Sequence, residues 1–353
     1  MLITKTNLVS DMNIAQRKEK ILSAVVESYI ATGEPVGSKT LQNNLDLSVS
    51  SATIRNELAD LTASGFLSQP HTSAGRIPTQ KGYRFYVDNL MTEKPVPEKQ
   101  RVYIEQTLYR HADTPENILD TAAAVLSQLT NVAAIASSPP GNDARVHRIS
   151  FVATGRHTAM LVLVTSTGMV KTKIFRCEFV ITKKLLEVFE NAFNEKLSGV
   201  PLEQITQPFI QTLAVSFGEL SMFTTNVLVA VMESARLALE TKISIHGQTK
   251  LLFLPEYDII GARGVLSFLN DENEVARLIL GKSVETSYYI GSESKNNLLQ
   301  NSAVIVSRYK IANRLAGVVA LVGSMKMDYS LLTGQLEFVS KIVGELISDL
   351  MNV

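Results

Sequence analysis

The side chains best suited to chemistry lie together near position 55. Apolar residues at helical spacing turn inward here, which leaves one group facing outward: Ser51, Ala52, Thr53, Arg55 and Asn56. Arg can form two hydrogen bonds with guanine, Asn can do the same with adenine, and small neighbours allow close approach to base edges. The pattern indicates a helix that reads DNA in the major groove, and a solvated helix face is the alternative.

One helix must carry this group. Ile54, Leu58 and Leu61 recur at helical spacing, and Ser50 is a good N-cap before them. The helix is predicted to run to about Ala63, ahead of a glycine. The outward residues lie near its N-terminus, the end that reaches base edges in helix-turn-helix proteins.

The preceding segment predicts the rest of a helix-turn-helix. A first helix is predicted from about residue 15 to residue 32, with residues 1–14 as a loose tail. Ser38 caps a short second helix, and residues 43–49 form the turn. Ser38 and Lys39 would contact backbone phosphate; a cap beside an ordinary surface lysine is the alternative.

A hairpin is predicted after the outward-facing helix. Phe66 and Leu67 begin a strand, residues 70–78 form a loop, and Ile77 starts a return strand before a helix capped by Thr79. The loop would be the wing of a winged helix-turn-helix. Its donors suit phosphate or minor-groove contacts: His71, Thr72, Ser73 and Arg76.

Composition limits the possible classes of protein. A chain of 353 residues is expected to form two or three domains. Its net charge is zero, and residues 1–91 carry nine Lys/Arg against eight Asp/Glu, so nonspecific DNA affinity should be modest. No apolar run approaches the ~20 residues of a membrane span, and no signal peptide is expected. The lone Cys177 fits a reducing cytoplasm.

The remaining chain predicts an α+β fold. Strand-rich segments between residues 148 and 179 give way to helical patterns, and strands return between residues 286 and 322 before a final helix. One α+β domain with a mainly helical domain inserted in it explains this order. The predicted domains are residues 1–92, 99–181 and 285–353 together, and the insertion 182–284.

No catalytic, metal or cofactor site is predicted. The histidines lack metal-ligand spacing with the cysteine or with clustered carboxylates. Cys177 lies in a β-rich run, so a buried apolar role is favoured over a nucleophile. The GARG run at residues 261–264 lacks the Lys-Ser/Thr of a phosphate-binding loop and is interpreted as a turn.

Long motifs resemble one known family. The run SSATIRNELADLTASGFLSQPHTSAGRIPTQKGYRFYVDNL, residues 50–90, closely resembles the heat-inducible transcription repressor HrcA of bacteria. So do residues 17–41, GSESKNNLLQNSAVIVSRY at 291–309 and GVVALVGSMKMDYS at 317–330. The resemblance covers nearly all of the chain after residue 13.

The resemblance implies a fold, an activity and partners. It implies a winged-helix domain, a GAF-like domain and a dimerising domain inserted in the latter. The activity implied is repression of heat-shock chaperone operons through a dimer on an inverted-repeat (CIRCE-type) operator of double-stranded DNA. It also implies a GroEL-type chaperonin as modulator and a cytoplasmic, nucleoid-associated protein. The family's DNA readers map onto residues 51–56, and its wing onto residues 71–76.

Two other functions compete with a chaperonin-modulated repressor. The GAF-like domain could hold a small-molecule ligand that controls a winged-helix regulator, although no converging charged cluster is visible in its sequence. An enzyme acting on nucleic acid is disfavoured, because metal, phosphate-loop and nucleophile patterns are lacking.

Overall fold

A computed structural model describes residues 6–44, 50–141, 144–218 and 221–351 of the chain. Parts of the predicted tail 1–14 and of the predicted turn 43–49 lie outside these ranges. The α-helices within them are α1 Thr6–Thr32, α2 Ser38–Asn44, α3 Ser51–Ala63, α4 Gln80–Phe85, α5 Glu98–Arg110, α6 Pro115–Thr130, α7 Lys183–Leu197, α8 Gln207–Ser216, α9 Ser221–Leu239, α10 Ile259–Leu269, α11 Glu272–Ile279 and α12 Tyr329–Met351. Helix α4 continues as one π-helical turn, Tyr86–Leu90.

The strands form three antiparallel sheets across the described residues. Their bounds are β1 Leu67–Ser68, β2 Ile77–Pro78, β3 Ala133–Ser137, β4 Val146–Ala153, β5 Thr158–Thr165, β6 Val170–Arg176, β7 Ile243–His246, β8 Thr286–Ile290, β9 Ser302–Ile311 and β10 Arg314–Ser324. The largest sheet has the order β7-β3-β10-β9-β8. A second has the order β4-β5-β6, and β1 pairs with β2.

Two cores cover the faces of the large sheet. One contains α1 to α6 together with α12, and it reaches from Ile21 to Ile347. The other packs α10 and α11 against the opposite face, through Phe268, Val275 and their neighbours. Because both faces are covered, β3 and β10 are apolar almost throughout, as expected of a strand buried on both sides.

A separate core belongs to the chain between β3 and β7. The sheet β4-β5-β6 packs on α7 and α9 through a cluster that runs from Ala144 to Ala238 and includes Phe151, Phe189 and Phe193. These rings meet edge to face, with centroids 5.7–6.3 Å apart. The fold is therefore α+β, with one compact unit inserted between two strands of the large sheet.

The extent of this insertion differs from the predicted residues 182–284. Strands β4 to β6 share their core with the helices that follow them, whereas β7, α10 and α11 pack with the large sheet. The alternation of strands and helices in the sequence does not encode which sheet each strand joins. The predicted division groups β4 to β6 with residues 285–353 and assigns residues 243–279 to the insertion. In the structure β4 to β6 pack with α7 and α9, and β7 pairs with β3 of the large sheet.

Other elements also differ from the sequence prediction. Helix α1 begins at Thr6 instead of residue 15, and no proline or glycine interrupts residues 6–15. The helical pattern before β8 is divided into α10 and α11, because Asp271 caps α11 through the amides of Asn273 and Glu274. Strands β3 and β7 were missed, since β3 shows no alternation and β7 has four residues.

A substitution at Gly82 would test how closely α4 packs on the hairpin. A Cβ atom built on Gly82 would lie 2.2 Å from the carbonyl oxygen of Phe66, which is backbone and cannot rotate away. We expect Gly82→Ala to lower the free energy of unfolding by about 2 kcal/mol, against the gain that alanine normally brings to a helix. Thermal and urea denaturation would measure the loss.

Gly37→Ala is the matched control, because a Cβ there meets nothing within 4 Å. Equal stability of the two variants would contradict the close packing of α4 on Phe66.

Candidate nucleic-acid interface

Helix α3 presents the predicted reading group at one end. The Ser50 hydroxyl accepts a hydrogen bond from the Thr53 amide at 3.2 Å, which caps the helix. Ile54, Leu58 and Leu61 are buried, as predicted. Ala52, Arg55 and Asn56 are exposed, whereas Ser51 and Thr53 are half-buried. The end of α3 therefore offers a guanidinium and an amide beside a small residue.

Three of the predicted hydroxyls bond to other hydroxyls. Ser51 Oγ donates to Ser38 Oγ at 3.1 Å, which joins the start of α3 to the start of α2. The oxygens of Ser50 and Thr53 lie 3.0 Å apart. Ser38 is half-buried and Lys39 beside it is exposed. These hydroxyl contacts hold the starts of α2 and α3 together, and the hydroxyls themselves lie near the surface.

An ion pair on the inner face of α3 was missed by the sequence analysis. Glu57 is only 6% exposed, and Arg17 of α1 donates to its Oε1 from Nε at 3.0 Å and from Nη2 at 2.7 Å. Lys18 reaches Asp60 at 3.0 Å one turn further along α3. A carboxylate three residues after Ile54, on the apolar face, was the available signal. This pairing fixes the rotation of α3 about its axis.

The loop after β1 has exposed donors at its tip. His71, Thr72 and Ser73 are exposed. The Gln69 side-chain amide donates to the carbonyl oxygens of Thr72 and Ala74, at 2.9 and 3.0 Å, which shapes the loop from inside. The tip therefore projects polar groups from a braced hairpin.

Arg76 holds the loop to its neighbours instead of projecting freely. Its backbone exchanges two 2.9 Å hydrogen bonds with Val36, and its Nε donates to Thr62 Oγ1 of α3 at 3.0 Å. Gly75 lies so close to this bridge that a Cβ there would sit 2.5 Å from the Val36 carbonyl carbon. The sequence predicts Arg76 as a donor to phosphate or the minor groove, and it did not predict the additional structural use of its Nε.

These contacts bring the predicted residues to one side of the N-terminal unit. The loop is bonded to Val36, two residues before Ser38, and Ser38 is bonded to Ser51 at the start of α3. The start of α2, the start of α3 and the loop therefore lie side by side. The sequence predicts the three groups one by one, whereas these hydrogen bonds show that they are neighbours in the fold.

The N-terminal unit is clamped to the large sheet. Arg84 of α4 forms a two-pronged ion pair with Glu293 and donates to the Tyr288 carbonyl oxygen at 3.0 Å. Gln80 accepts two hydrogen bonds from Ser292, and the rings of Tyr83 and Tyr329 lie 5.8 Å apart within the shared core. The motif at residues 291–309 therefore contains the clamp that orients this unit.

Burial would raise the pKa of the Glu293 carboxyl. Hydrogen bonds from Arg84 and from the Ile290 amide, with the charge of Arg84, outweigh burial and hold the pKa below its ordinary value. The ionised form of Glu293 is thus the one that the clamp requires.

The described residues contain no group of three His, Cys, Asp or Glu side chains arranged to hold a metal ion. Cys177 is buried, and burial raises the pKa of its thiol, which disfavours the thiolate. Within the same ranges, no helix is both long enough and apolar enough to cross a membrane.

Comparison with known proteins identifies the family. The family model described as "HrcA protein C terminal domain" matches residues 116–332. The chain is 33% identical over 338 residues to the heat-inducible transcription repressor HrcA of Alkaliphilus metalliredigens, covering 95% of this chain and 98% of the relative. It is 34% identical to that of Symbiobacterium thermophilum, covering 94% and 98%.

One solved structure shares the fold. The crystal structure of a hypothetical protein superposes with a TM-score of 0.61 at 22% identity, covering 95% of this chain and 98% of the other. The class that these findings define is the bacterial transcription repressor, which is not a class of enzyme. The chain belongs to the HrcA family of heat-inducible transcription repressors.

Glu57→Gln tests the ion pair that holds α3. Removing the charge replaces the ion pair with a neutral hydrogen bond and leaves the Arg17 charge unbalanced. We expect the free energy of unfolding to fall by about 1–3 kcal/mol. Urea denaturation at neutral pH would measure the change.

Asp60→Asn is the control on the same helix, because the Asp60 side chain is largely exposed and should change stability less. A loss from Asp60→Asn as large as that from Glu57→Gln would argue against a special role for the buried carboxylate.

Acid should weaken the clamp at Glu293. An unfolded glutamate titrates near pH ~4.3, and the folded pKa lies lower, so the stabilisation is complete above the unfolded pKa. It is lost as the pH falls through the folded pKa. Thermal denaturation between neutral pH and about pH 3 should therefore show a shallower acid dependence for Glu293→Gln than for the parent chain. Identical acid profiles would rule out this contribution.

Proposed function

We propose that the protein is a sequence-specific DNA-binding repressor of heat-shock chaperone operons. Its N-terminal unit would be a winged helix-turn-helix, with α3 in the major groove and the β1–β2 loop as the wing. The observation that carries this proposal is the division of α3 into two faces. Arg55 and Asn56 point outward, whereas Glu57 is buried against Arg17.

The proposed contacts divide by chemistry. Arg55 and Asn56 would read base edges, and the small side chain of Ala52 would allow close approach. The hydroxyls of Ser51 and Thr53 lie at the same end of α3. The donors proposed for phosphate or the minor groove are Ser38 and Lys39 at α2, and His71, Thr72, Ser73 and Arg76 at the loop.

A homodimer would match an inverted-repeat operator. Two half-sites on one face of DNA lie ~34 Å apart, which requires two α3 helices related by a two-fold axis. The inserted unit offers a surface for this pairing: β6 is an edge strand of its sheet, and Val170 and Ile174 on it are exposed. We propose that this unit, residues 144–239, is the dimerising domain. The large sheet into which it is inserted would belong to a GAF-like domain.

Simultaneous binding of a dimer to two half-sites would add the affinity that one N-terminal unit lacks because its net charge is low. Changes in the angle between the two N-terminal units would then switch binding off. A GroEL-type chaperonin is the proposed modulator, because the family resemblance implies it. Such a repressor would act in the cytoplasm, at the nucleoid.

Control by a small ligand is the second candidate. A cavity of about 560 Å³ lies between the β8–β9 edge and α12, and its walls include Arg308, Lys310, Glu337 and Lys341. That volume fits a small molecule. Lys310 already pairs with Glu285 at this cavity, so part of its charge is balanced internally. A metabolite that changes duplex affinity without chaperonin would favour this candidate.

Arg55→Ala tests base reading by α3. Loss of one bidentate contact should weaken binding to an inverted-repeat duplex by about 1–3 kcal/mol, or about 5- to 150-fold. Fluorescence anisotropy at fixed salt would measure it, with a scrambled duplex alongside.

Arg236→Ala removes another exposed arginine, from α9 in the inserted unit, and should leave affinity unchanged. If Arg55→Ala binds the duplex as tightly as the parent chain does, Arg55 is not a base reader.

A further inference from the structure

A cavity of about 480 Å³ lies against residues 291–296, which we call the clamp segment because Glu293 belongs to it. The cavity is on the face of the large sheet that α10 and α11 cover, and Tyr289 of β8 forms part of its wall. The neighbouring Tyr288 points to the opposite face, where its hydroxyl lies 3.1 Å from Thr333 Oγ1 of α12. This cavity is therefore distinct from the one beside α12.

Three cations line the cavity. Arg277 is in the last turn of α11, Lys282 follows that helix, and Lys295 is on the clamp segment. All three side chains are exposed. Within the described part of the chain, none of them forms an ion pair with a carboxylate. Three separate segments of the chain thus bring unpaired positive charge to one place.

The two carboxylates at the cavity both have partners. Glu293 is held by the Arg84 guanidinium, and Glu274 accepts a hydrogen bond from the Asn296 side-chain amide at 2.7 Å. Because Arg84 balances the charge of Glu293, the three cations face only one further carboxylate. The cavity therefore has an excess of positive charge, which attracts anions.

The cations are not needed to complete the end of α11. Basic residues are common in the last turn of a helix, because its carbonyl oxygens lack partners there. Here Tyr289 Oη donates to the Leu278 carbonyl oxygen at 3.0 Å, and Arg308 Nη2 donates to that of Leu280 at 2.8 Å. The positive charge at the cavity is therefore available to a ligand.

The walls of the cavity favour a phosphorylated organic molecule. Guanidinium and ammonium groups both bind phosphate, and Arg does so with two parallel hydrogen bonds. Phe268, Leu278 and Tyr289 add an apolar wall beside the cations. The volume is within the range of small-molecule sites and leaves room for more than one phosphate group.

The clamp segment contacts the N-terminal unit with some residues and the cavity with others. Ser292 and Glu293 bond to side chains of α4. Lys295 and Asn296, which follow directly, line the cavity. An anion bound by both Lys295 and Arg277 would tie the clamp segment to α11. A ligand would thus act on the segment that orients the N-terminal unit.

We propose that this cavity binds a phosphorylated small molecule through Arg277, Lys282 and Lys295, and that the bound molecule changes the affinity for DNA through the clamp segment. The effect on DNA rests on the proposed function, whereas binding of the ligand does not.

Arg277→Gln with Lys295→Gln tests the site. Both side chains are exposed, so the double variant should fold as the parent chain does. In isothermal titration calorimetry the parent chain should bind ADP, should bind inorganic pyrophosphate more weakly, and should not bind adenosine. The double variant should bind ADP and pyrophosphate about tenfold more weakly, because two charged contacts are lost.

Lys183→Gln with Lys184→Gln is the matched control, since it removes the same charge from exposed positions on α7. It should bind ADP as the parent chain does. An equal loss in the control would mean that only net charge matters and would overturn the site. Absence of binding to both ADP and pyrophosphate, or adenosine binding as tight as that of ADP, would also overturn it.

Fluorescence anisotropy with an inverted-repeat duplex tests the effect on DNA. ADP should change the duplex affinity of the parent chain about fivefold or more and leave that of the double variant unchanged. No change in the parent would overturn the effect on DNA alone. Weaker duplex binding by the double variant without ADP would make the cations a DNA contact and would overturn the proposal. Failure of the parent to bind duplex would contradict the proposed function, whereas calorimetry would still decide the ligand site.

Discussion

The buried carboxylate of Glu57 is the constraint on which the proposed DNA-binding surface depends. It is almost fully enclosed, and two guanidinium nitrogens of Arg17 hold it to α1. A charge placed in the interior is costly unless it is paired, so α3 has one favourable rotation about its axis. That rotation turns Arg55 and Asn56 toward solvent. If α3 could rotate about its axis, Arg55 and Asn56 would no longer face solvent together.

The surface made by α3 is supported from two directions. Hydroxyl contacts between Ser38 and Ser51 fix α2 against α3, and the Arg76–Val36 bridge sets the loop beside them. The Arg84–Glu293 ion pair and the Gln80–Ser292 hydrogen bonds connect this unit to the large sheet. Orientation of the N-terminal unit is therefore coupled to the body of the protein. A regulator that acts on the body of the protein therefore has a physical route to α3, the proposed recognition helix.

Local chemistry explains what the sequence could predict. The Ser50 cap and the spacing of Ile54, Leu58 and Leu61 defined α3 within a residue, because both are encoded nearby in the chain. Pairing between distant segments is not encoded in this way. The bond from Arg17 to Glu57 spans 40 residues, and β7 joins β3 across the whole inserted unit. For the same reason the α+β class was predictable, whereas the limits of the insertion and the structural use of Arg76 were not.

Disulfide cross-linking from the two ends of α3 would test the central claim most directly. Ala52 and Ala63 are both exposed on this helix, and the native Cys177 is buried. Ala52→Cys should cross-link to an inverted-repeat duplex that carries a thiol-tethered base, whereas Ala63→Cys, at the far end, should not. Cross-linking from Ala63→Cys with none from Ala52→Cys would contradict the placement of the start of α3 against the bases.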